Sequence, residues 1–202
     1  MQTHPYLRHS MLKMLEKNPK SFMKVYIEGV PMGINRGMAL GTEIHKALEN
    51  EVDTGHEVND LTISQLVKYE INDKQFLIDI PVGDEIIPIR IQPDTLRTDW
   101  SEFRDRKTGQ GPWTRKIVDN DSQLEFYATA IYTKTGKIPK AWIDWMPTHK
   151  VTGEDGVERP ELTGEIFRFE RDFTLKQILR MKLRMRDAWR LAGKLTEEAL
   201  SI

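Results

Sequence analysis

The sequence predicts an α/β (α+β) fold in which helices flank a central mixed β-sheet. Three observations predict this class: apolar residues at helical spacing in the first 52 residues, alternating segments between residues 75 and 107, and a helix, a strand, a hairpin and a final helix after residue 113. A chain of 202 residues with 39% hydrophobic residues can build one core of ordinary size. We therefore expect a single domain over residues 1–202.

The composition excludes several kinds of site. The chain contains no cysteine, which rules out disulfides, zinc-thiolate sites and cysteine-ligated iron–sulfur clusters and fits a reducing compartment. No apolar run approaches the roughly 20 residues that cross a bilayer, and the N-terminus lacks the apolar core of a secretion signal. We expect a cytoplasmic protein, in the host cytoplasm if it is viral, without a membrane partner.

Two helices are predicted before the first strand. Residues 10–28 have a helical pattern that Asn18-Pro19 should break, since proline lacks the amide donor and crowds the preceding turn. Residues 36–52 form the clearest early helix, because apolar and small residues recur there at spacings of three and four. That stripe consists of Met38, Gly41, His45, Leu48 and Val52.

Three strands are predicted next. Residues 75–80 and 86–92 alternate and are linked by a turn at Gly83-Asp84, and residues 100–107 form the third strand. Their short connections predict an antiparallel meander.

The second half of the chain returns to helices. We predict a helix over residues 118–133, a strand over 141–147, and a long hairpin over 148–172 that turns at 153–156. Thr174 is a suitable N-cap for a final helix. The apolar stripe of that helix would be Ile178, Met181, Met185, Trp189 and Ala192.

Charge is distributed unevenly although the net charge is only -1. Residues 42–59 are mainly acidic and the final helix is basic, an asymmetry that can direct a nucleic acid to one face. A solvated helix face would give the same pattern. Our candidate nucleic-acid contacts are Arg104, Arg115, Lys176, Arg180 and Arg184.

The segment FRDRKTGQGPW places charged residues at the end of an apolar strand. Because side chains alternate along a strand, Asp105 and Lys107 share one face, and Asp94 reaches the same end if the two strands are neighbours. Two carboxylates about 4 Å apart repel by roughly 4 kcal/mol at an effective dielectric near 20. A divalent cation, Mg²⁺ or Mn²⁺, would remove that penalty. The alternative is an exposed ion pair at the strand end.

Three further residues are candidates for the same site. His45 follows Gly41 by one helical turn, which leaves space near its imidazole, although a core histidine would also fit the apolar stripe. Gln123 and Tyr127 are four residues apart and lie on one helix face. They could bind a phosphate or stack on a base, or Tyr127 could simply pack against the sheet.

Taken in order, these residues resemble the motifs of the PD-(D/E)XK nuclease superfamily, in particular its RecB-like exonuclease branch. The resemblance spans roughly residues 9–147 and implies a restriction-endonuclease-like core, followed by the C-terminal β-hairpin and helix. The matching residues are Gly41-x-x-x-His45, Pro93-Asp94, Asp105-Arg106-Lys107 and Gln123-x-x-x-Tyr127.

The resemblance implies a role for each matching residue. His45, Asp94 and Asp105 would be catalytic metal ligands, with the main-chain carbonyl of Arg106 as a further ligand, and Lys107 would be the catalytic lysine. The implied cofactor is Mg²⁺ or Mn²⁺. Many RecB-like proteins also hold an iron–sulfur cluster through cysteines, which this sequence lacks.

Gln123 and Tyr127 are implied to contact the nucleic acid. We therefore expect a metal-dependent DNA exonuclease acting in recombination, repair or replication, of a type found in phages. DNA is the expected partner, with a second copy of the chain or a recombination or replication protein as further partners. The alternatives are a non-catalytic nucleic-acid-binding module with a nuclease fold and a structure- or sequence-specific endonuclease.

Overall fold

The protein is described by a computed structural model over residues 5–31, 40, 42–44, 46–47, 52–153 and 156–201. Its main sheet has the strand order β1-β4-β5-β6-β7, and β8 also pairs with β6. The pairing of β5 with β6 is parallel and the other pairings are antiparallel. The predicted central mixed sheet is therefore confirmed. Its strands are β1 Ile71–Asn72, β4 Thr95–Leu96, β5 Glu102–Gly109, β6 Lys140–Thr152, β7 Glu158–Leu162 and β8 Phe167–Arg171.

Strands β2 (Phe76–Val82) and β3 (Glu85–Ile91) form a separate two-stranded sheet. The predicted turn between them is confirmed, and Gly83 adopts there a positive φ of 62° that favours glycine. The predicted meander is wrong, because β5 pairs with β4 and β6 rather than with β3.

The outer edge of β3 has a different partner. The amide of Leu7 donates to the carbonyl of Pro88 at 2.8 Å, and the amide of Arg90 donates to the carbonyl of Leu7 at 2.9 Å. This short parallel bridge occupies the edge that the predicted meander assigned to the third strand.

The N-terminal helices follow the predicted break. Helix α1 (His9–Lys17) ends at Asn18, and α2 (Pro19–Phe22) begins with proline and continues into a π-helical turn, Met23–Ile27. The Asn18 side chain accepts a hydrogen bond from the Ser21 amide at 3.2 Å and so caps α2. Helix α3 spans Glu57–Ser64.

The predicted helix over 36–52 lies largely outside the described residues. The described positions 40, 42–44 and 46–47 within it are helical.

The helix predicted over 118–133 is two helices, α4 (Arg115–Asp119) and α5 (Ser122–Thr135). The carboxylate of Asp121 accepts hydrogen bonds from the amides of Gln123 and Leu124, both at 2.9 Å, and starts α5 as an N-cap. Because Asp121 competes with the helix for these amides, the chain breaks here rather than continuing from α4.

The C-terminal strands correct the predicted hairpin over 148–172. The strand predicted over 141–147 continues to Thr152, and the turn after it leads into β7. Strand β7 pairs only with residues 148–152 of β6. The first half of β6 pairs instead with β8, through residues 141–145. The hairpin therefore involves only β6 and β7.

Helix α6 (Leu175–Leu200) begins as predicted at Thr174. The Thr174 hydroxyl accepts from the Gln177 amide at 3.3 Å, and the Gln177 side chain accepts from the Thr174 amide at 2.8 Å, which completes a capping box. In the predicted apolar stripe, Trp189 is partly buried. The remaining stripe residues are buried: Ile178, Met181, Met185 and Ala192.

Apolar side chains cover both faces of the main sheet. On one face the side chains of Phe103 and Ile143 belong to the large core that α1, α5 and α6 complete. On the other face Met146 packs in a smaller cluster with Leu40, Ile44, Leu66 and Leu162. No helix within the described residues is both long enough and apolar enough to cross a membrane.

We predict that Thr174→Ala lowers the free energy of unfolding by about 1 kcal/mol, because the first turn of α6 loses its cap. Urea denaturation monitored by circular dichroism measures this loss. Thr174→Asn, which keeps an acceptor at the cap, should lose much less. Equal losses in the two variants would contradict the capping role.

Candidate active site

Strand β5 brings an acidic and a basic side chain together at the centre of the sheet. Asp105 and Lys107 lie on the face that α5 covers, and Asp105 is only 2% exposed. Lys107 Nζ lies 2.6 Å from Asp105 Oδ2. The predicted alternation along this strand is therefore confirmed.

Asp94 reaches the same place by a route that differs from the prediction. It lies between β3 and β4, is buried, and accepts a hydrogen bond through Oδ2 from the main-chain amide of Arg106. Strand β4, which starts at the next residue, pairs antiparallel with β5 and fixes this position. The two carboxylates thus converge through β4 and not through a direct pairing of β3 with β5.

Gln123 connects the strand to helix α5. Its Oε1 accepts from Lys107 Nζ at 2.9 Å, and its Nε2 donates to Asp105 Oδ1 at 3.0 Å. The same Nε2 also lies 3.1 Å from the hydroxyl of Tyr127, which in turn donates to the carbonyl of Gln92 at 3.2 Å. The structure therefore joins both predicted helix residues to the predicted strand residues in one hydrogen-bonded network.

The carboxylates dominate the electrostatics of this network. Burial by itself would lower the pKa of Lys107, but the ion pair with Asp105, supported by the charges of Asp94 and Asp121, outweighs burial and raises that pKa. Burial also raises the pKa of Tyr127, and the charge of Asp105 raises it further. At neutral pH the network therefore contains an ammonium group and a neutral phenol.

The sequence analysis missed His9, which lies beside this network at the start of α1. Its Nε2 and Ser122 Oγ share a hydrogen bond of 2.8 Å, and its ring meets Phe126 edge-on at 5.9 Å. Burial lowers the pKa of His9 to about 4, and the charge of Lys107 contributes to the shift. The imidazole is therefore neutral at pH 7, and no local sequence pattern links it to a residue 113 positions away.

The predicted metal ligands are only partly brought together. Asp94 and Asp105 converge, whereas His45 lies outside the described residues, so its predicted role stays a prediction. Within the described part of the chain, no group of three histidine or acidic side chains is placed to hold a metal ion. The amide of Arg106 lies at the site, and the role of its carbonyl stays a prediction.

Arg104 lies on the opposite face of β5, as the alternation of side chains requires. It is 6% exposed, its Nη1 pairs with Asp144 Oδ1 at 2.8 Å, and its Nε donates to the hydroxyl of Tyr69 at 3.2 Å. This buried pairing counts against its predicted contact with nucleic acid.

The other predicted nucleic-acid contacts lie at the surface, and three of them have partners. Arg115 donates to the carbonyl of Glu170 at 2.5 Å and pairs with Asp119, whereas Lys176 is exposed. Two arginines of α6 pair with carboxylates. Arg180 Nη2 bonds both carboxylate oxygens of Glu125 at 3.0 and 3.1 Å, and Arg184 forms a bidentate pair with Glu16 at 2.8 Å for both bonds. Carboxylates therefore neutralise part of the predicted basic face.

A second buried pair holds the start of α5 in place. Arg171 Nη2 lies 3.3 Å from Glu125 Oε2, and Arg171 Nη1 donates to the carbonyl of Asp121, the cap of α5. These contacts join β8 to the helix turn that carries Gln123. No local sequence pattern predicts this pair, since its members are 46 positions apart.

We predict that His9 makes the stability of the protein depend on pH. Its pKa is lower in the folded protein than the ordinary value of 6.5, so the unfolded chain takes up the proton first and stability falls as pH drops from 6.5 towards 4. Between pH 7 and 4.5 the native protein should lose about 2 kcal/mol more than His9→Gln. Chemical denaturation at both pH values measures the difference.

His149→Gln, a change at an exposed histidine of β6, is the matched control. It should keep the pH dependence of the native protein. The same loss on acidification in the native protein and in His9→Gln would contradict a buried, neutral imidazole at position 9.

No protein-family model matches the sequence, and no curated protein matches it. The fold is similar to that of solved structures. One is a protein from Eubacterium rectale named "Putative exonuclease", with 13% sequence identity and a TM-score of 0.57, covering 96% of this chain and 88% of that chain. Another is the protein SSO0001, with 12% identity and a TM-score of 0.49, covering 93% of this chain and 77% of that chain. At this identity the likeness to the Eubacterium rectale protein shows a shared fold and nothing further.

Proposed function

We propose that this protein is a metal-dependent nuclease that hydrolyses phosphodiester bonds of DNA. The observation that carries the proposal is that Asp94 is held beside Asp105 and Lys107 by the Arg106 amide, while the side chain of Gln123 joins Asp105 to Lys107. Two carboxylates and an ammonium group held close together suit hydrolysis of a phosphate ester, in which charge develops on oxygen.

The donor set suits Mg²⁺ or Mn²⁺. Both carboxylates are buried, and hard oxygen donors of this kind favour these cations over softer metals. Mg²⁺ in particular is commonly held by one or two carboxylates, with water and substrate phosphate completing its shell, so a third protein ligand is not required. We propose Asp94 and Asp105 as the residues that hold the cation, with His45 and the Arg106 carbonyl as the further ligands implied by the family resemblance.

Each protein group has a task that its contacts support. A bound cation would supply Lewis-acid chemistry and a more acidic water. Lys107, kept protonated by the neighbouring carboxylates, would stabilise negative charge on the phosphate rather than act as a base. Gln123 orients both Asp105 and Lys107, and the Tyr127 hydroxyl accepts from Gln123 and donates to the carbonyl of Gln92.

The finer assignment has different support. The name of the Eubacterium rectale protein and the resemblance to the RecB-like branch favour an exonuclease over an endonuclease. A role in recombination, repair or replication, in a phage or elsewhere, rests on that resemblance alone. DNA cleavage by the purified protein is therefore the deciding experiment.

We predict that the protein degrades end-labelled linear DNA with Mg²⁺ or Mn²⁺ and leaves closed circular DNA intact, and that EDTA abolishes the activity. Gel electrophoresis of both substrates measures cofactor dependence and mode together. Cutting of circular DNA would indicate an endonuclease. Metal-independent DNA binding without cleavage would indicate a non-catalytic module.

We predict that Lys107→Ala lowers kcat by about 10²–10³-fold, because the site loses the ammonium group that stabilises developing negative charge. Cleavage assays at saturating DNA measure the loss, with the unfolding midpoint as the check on folding. Lys150→Ala, at an exposed lysine paired with Glu158, is the matched control and should keep full activity. Normal cleavage by pure Lys107→Ala would refute the role proposed for Lys107.

We predict that Asp105→Asn weakens Mn²⁺ binding by at least roughly 10–100-fold. That is the usual loss of metal affinity when a residue that only hydrogen-bonds a metal ligand is replaced, and Asp105 is itself a proposed ligand. The amide keeps the shape of the side chain but removes its charge. Isothermal titration calorimetry measures the affinity, and Asp79→Asn, at an exposed carboxylate on β2, is the control. Equal Mn²⁺ affinity in both variants would place the cation elsewhere.

A further inference from the structure

Two arginine side chains meet on one tyrosine hydroxyl near the N-terminus. Arg8 Nη2 and Arg90 Nη1 each donate to the hydroxyl of Tyr6 at 2.9 Å. The two guanidinium carbons lie 5.1 and 4.9 Å from the centre of the Tyr6 ring. We call these three residues the arginine clamp.

The backbone holds this arrangement in place. Leu7 and Ile89 form the parallel bridge between the N-terminal segment and β3, and both side chains are fully buried. Because side chains alternate along extended segments, Tyr6 and Arg8 lie opposite Leu7, and Arg90 lies opposite Ile89. All three clamp residues therefore share the half-exposed side of this bridge.

The clamp differs from most arginine contacts in the described part of the chain, because no carboxylate takes part in it. Arg104, Arg184 and Arg190 each pair with an acidic side chain. In the described part of the chain, neither Arg8 nor Arg90 has an acidic side chain at ion-pair distance, and Arg8 Nε is buried without a hydrogen-bond partner.

Two like charges held side by side repel each other, so an anion between them would stabilise the arrangement. The hydrogen bond from Arg8 lowers the pKa of Tyr6 despite the opposing effect of burial, and the charges of both arginines add to the shift. The positive charge of the two arginines therefore acts on the Tyr6 hydroxyl, to which both of them donate.

The clamp adjoins the candidate active site on two sides. Arg8 directly precedes His9, whose imidazole bonds to Ser122 at the start of α5. Arg90 lies two residues before Gln92, or about 7 Å along a strand. The carbonyl of Gln92 accepts the hydrogen bond from the Tyr127 hydroxyl. A DNA strand that enters the site can therefore pass the clamp.

We infer that Arg8 and Arg90, held by Tyr6, form a binding site for a backbone phosphate of the DNA strand next to the candidate active site. The planar guanidinium group presents paired donors that match phosphate oxygens, and the Tyr6 hydroxyl holds both groups before the ligand arrives. The inference deepens the proposed function and rests on it for the identity of the ligand as DNA.

The test measures DNA binding without cleavage. Fluorescence anisotropy with a labelled short single-stranded DNA in EDTA, repeated over a salt series, gives the affinity and its salt dependence. The double variant Arg8→Gln/Arg90→Gln should bind more weakly than the native protein. The slope of log K against log salt should become shallower by about 0.7 for a single lost phosphate contact.

The matched control is Arg190→Gln, which removes an exposed arginine that already pairs with Glu85 at the tip of the β2–β3 hairpin. It should keep the native affinity and slope. If the double variant and Arg190→Gln have the same affinity and slope, the inference is wrong. Unfolding midpoints of all variants check the fold, and Arg8→Lys/Arg90→Lys, which keeps the charges without the paired donors, should bind with intermediate affinity.

Added inorganic phosphate tests whether the clamp binds free phosphate or the backbone phosphate of DNA. Added phosphate at constant ionic strength should compete with DNA on the native protein and have less effect on the double variant. If phosphate raises the unfolding midpoint of the native protein but the native protein does not bind DNA, the inference is wrong. Clamp-dependent DNA binding with no cleavage under any metal would refute the proposed nuclease and leave the clamp standing.

Discussion

Strand β5 is covered on both faces, so the buried charges of Arg104 and Asp105 depend on partners inside the protein. Leaving an isolated charge in a buried position costs several kcal/mol, so an unpaired Arg104 or Asp105 would be incompatible with this strand. Arg104 pairs with Asp144 across the parallel contact with β6, and Asp105 pairs with Lys107 and Gln123 on the other face. The candidate site is the part of this pairing that remains half-open to solvent.

The position of Gln123 depends on the break between α4 and α5. Asp121 caps α5 two residues before Gln123, whose side chain faces Asp105, and Arg171 binds both the Asp121 carbonyl and the side chain of Glu125. The start of α5 is thus tied to β8 as well as to β5. A continuous helix from α4, as the sequence suggested, would not present its first turn to the strand in this way.

The parts of the site that were predictable depend on short-range periodicity. Alternation along a strand placed Asp105 with Lys107, and helical spacing placed Gln123 with Tyr127. The same alternation places Arg104 on the opposite face, where it pairs with Asp144.

Long-range pairing was not predictable. The outer edge of β3 is occupied by Leu7, more than 80 positions away, and His9 reaches the site only because α1 packs against α5. The fold class and most element positions follow from local patterns, whereas strand neighbours and buried polar pairs depend on contacts between distant residues. That Asp94 still converges with Asp105 shows that one end of a sheet can be reached by more than one strand order.

Lys107 and the proposed cation would use the same carboxylate, and this competition has a consequence for the chemistry. With only protein groups at the site, Asp105 Oδ2 lies 2.6 Å from the ammonium group, which offsets part of the local negative charge. If Asp105 instead holds a cation, the hold of Asp105 on Lys107 weakens, while Gln123 Oε1 remains as an acceptor at 2.9 Å. Lys107 would then be kept near the site by a neutral amide and be free to turn towards a phosphate. Because burial alone lowers the pKa of Lys107, losing the carboxylate interaction would also lower that pKa from its raised value. The ion pair therefore provides a position for the lysine, and the same atoms would release it if a cation bound to Asp105 in the presence of substrate.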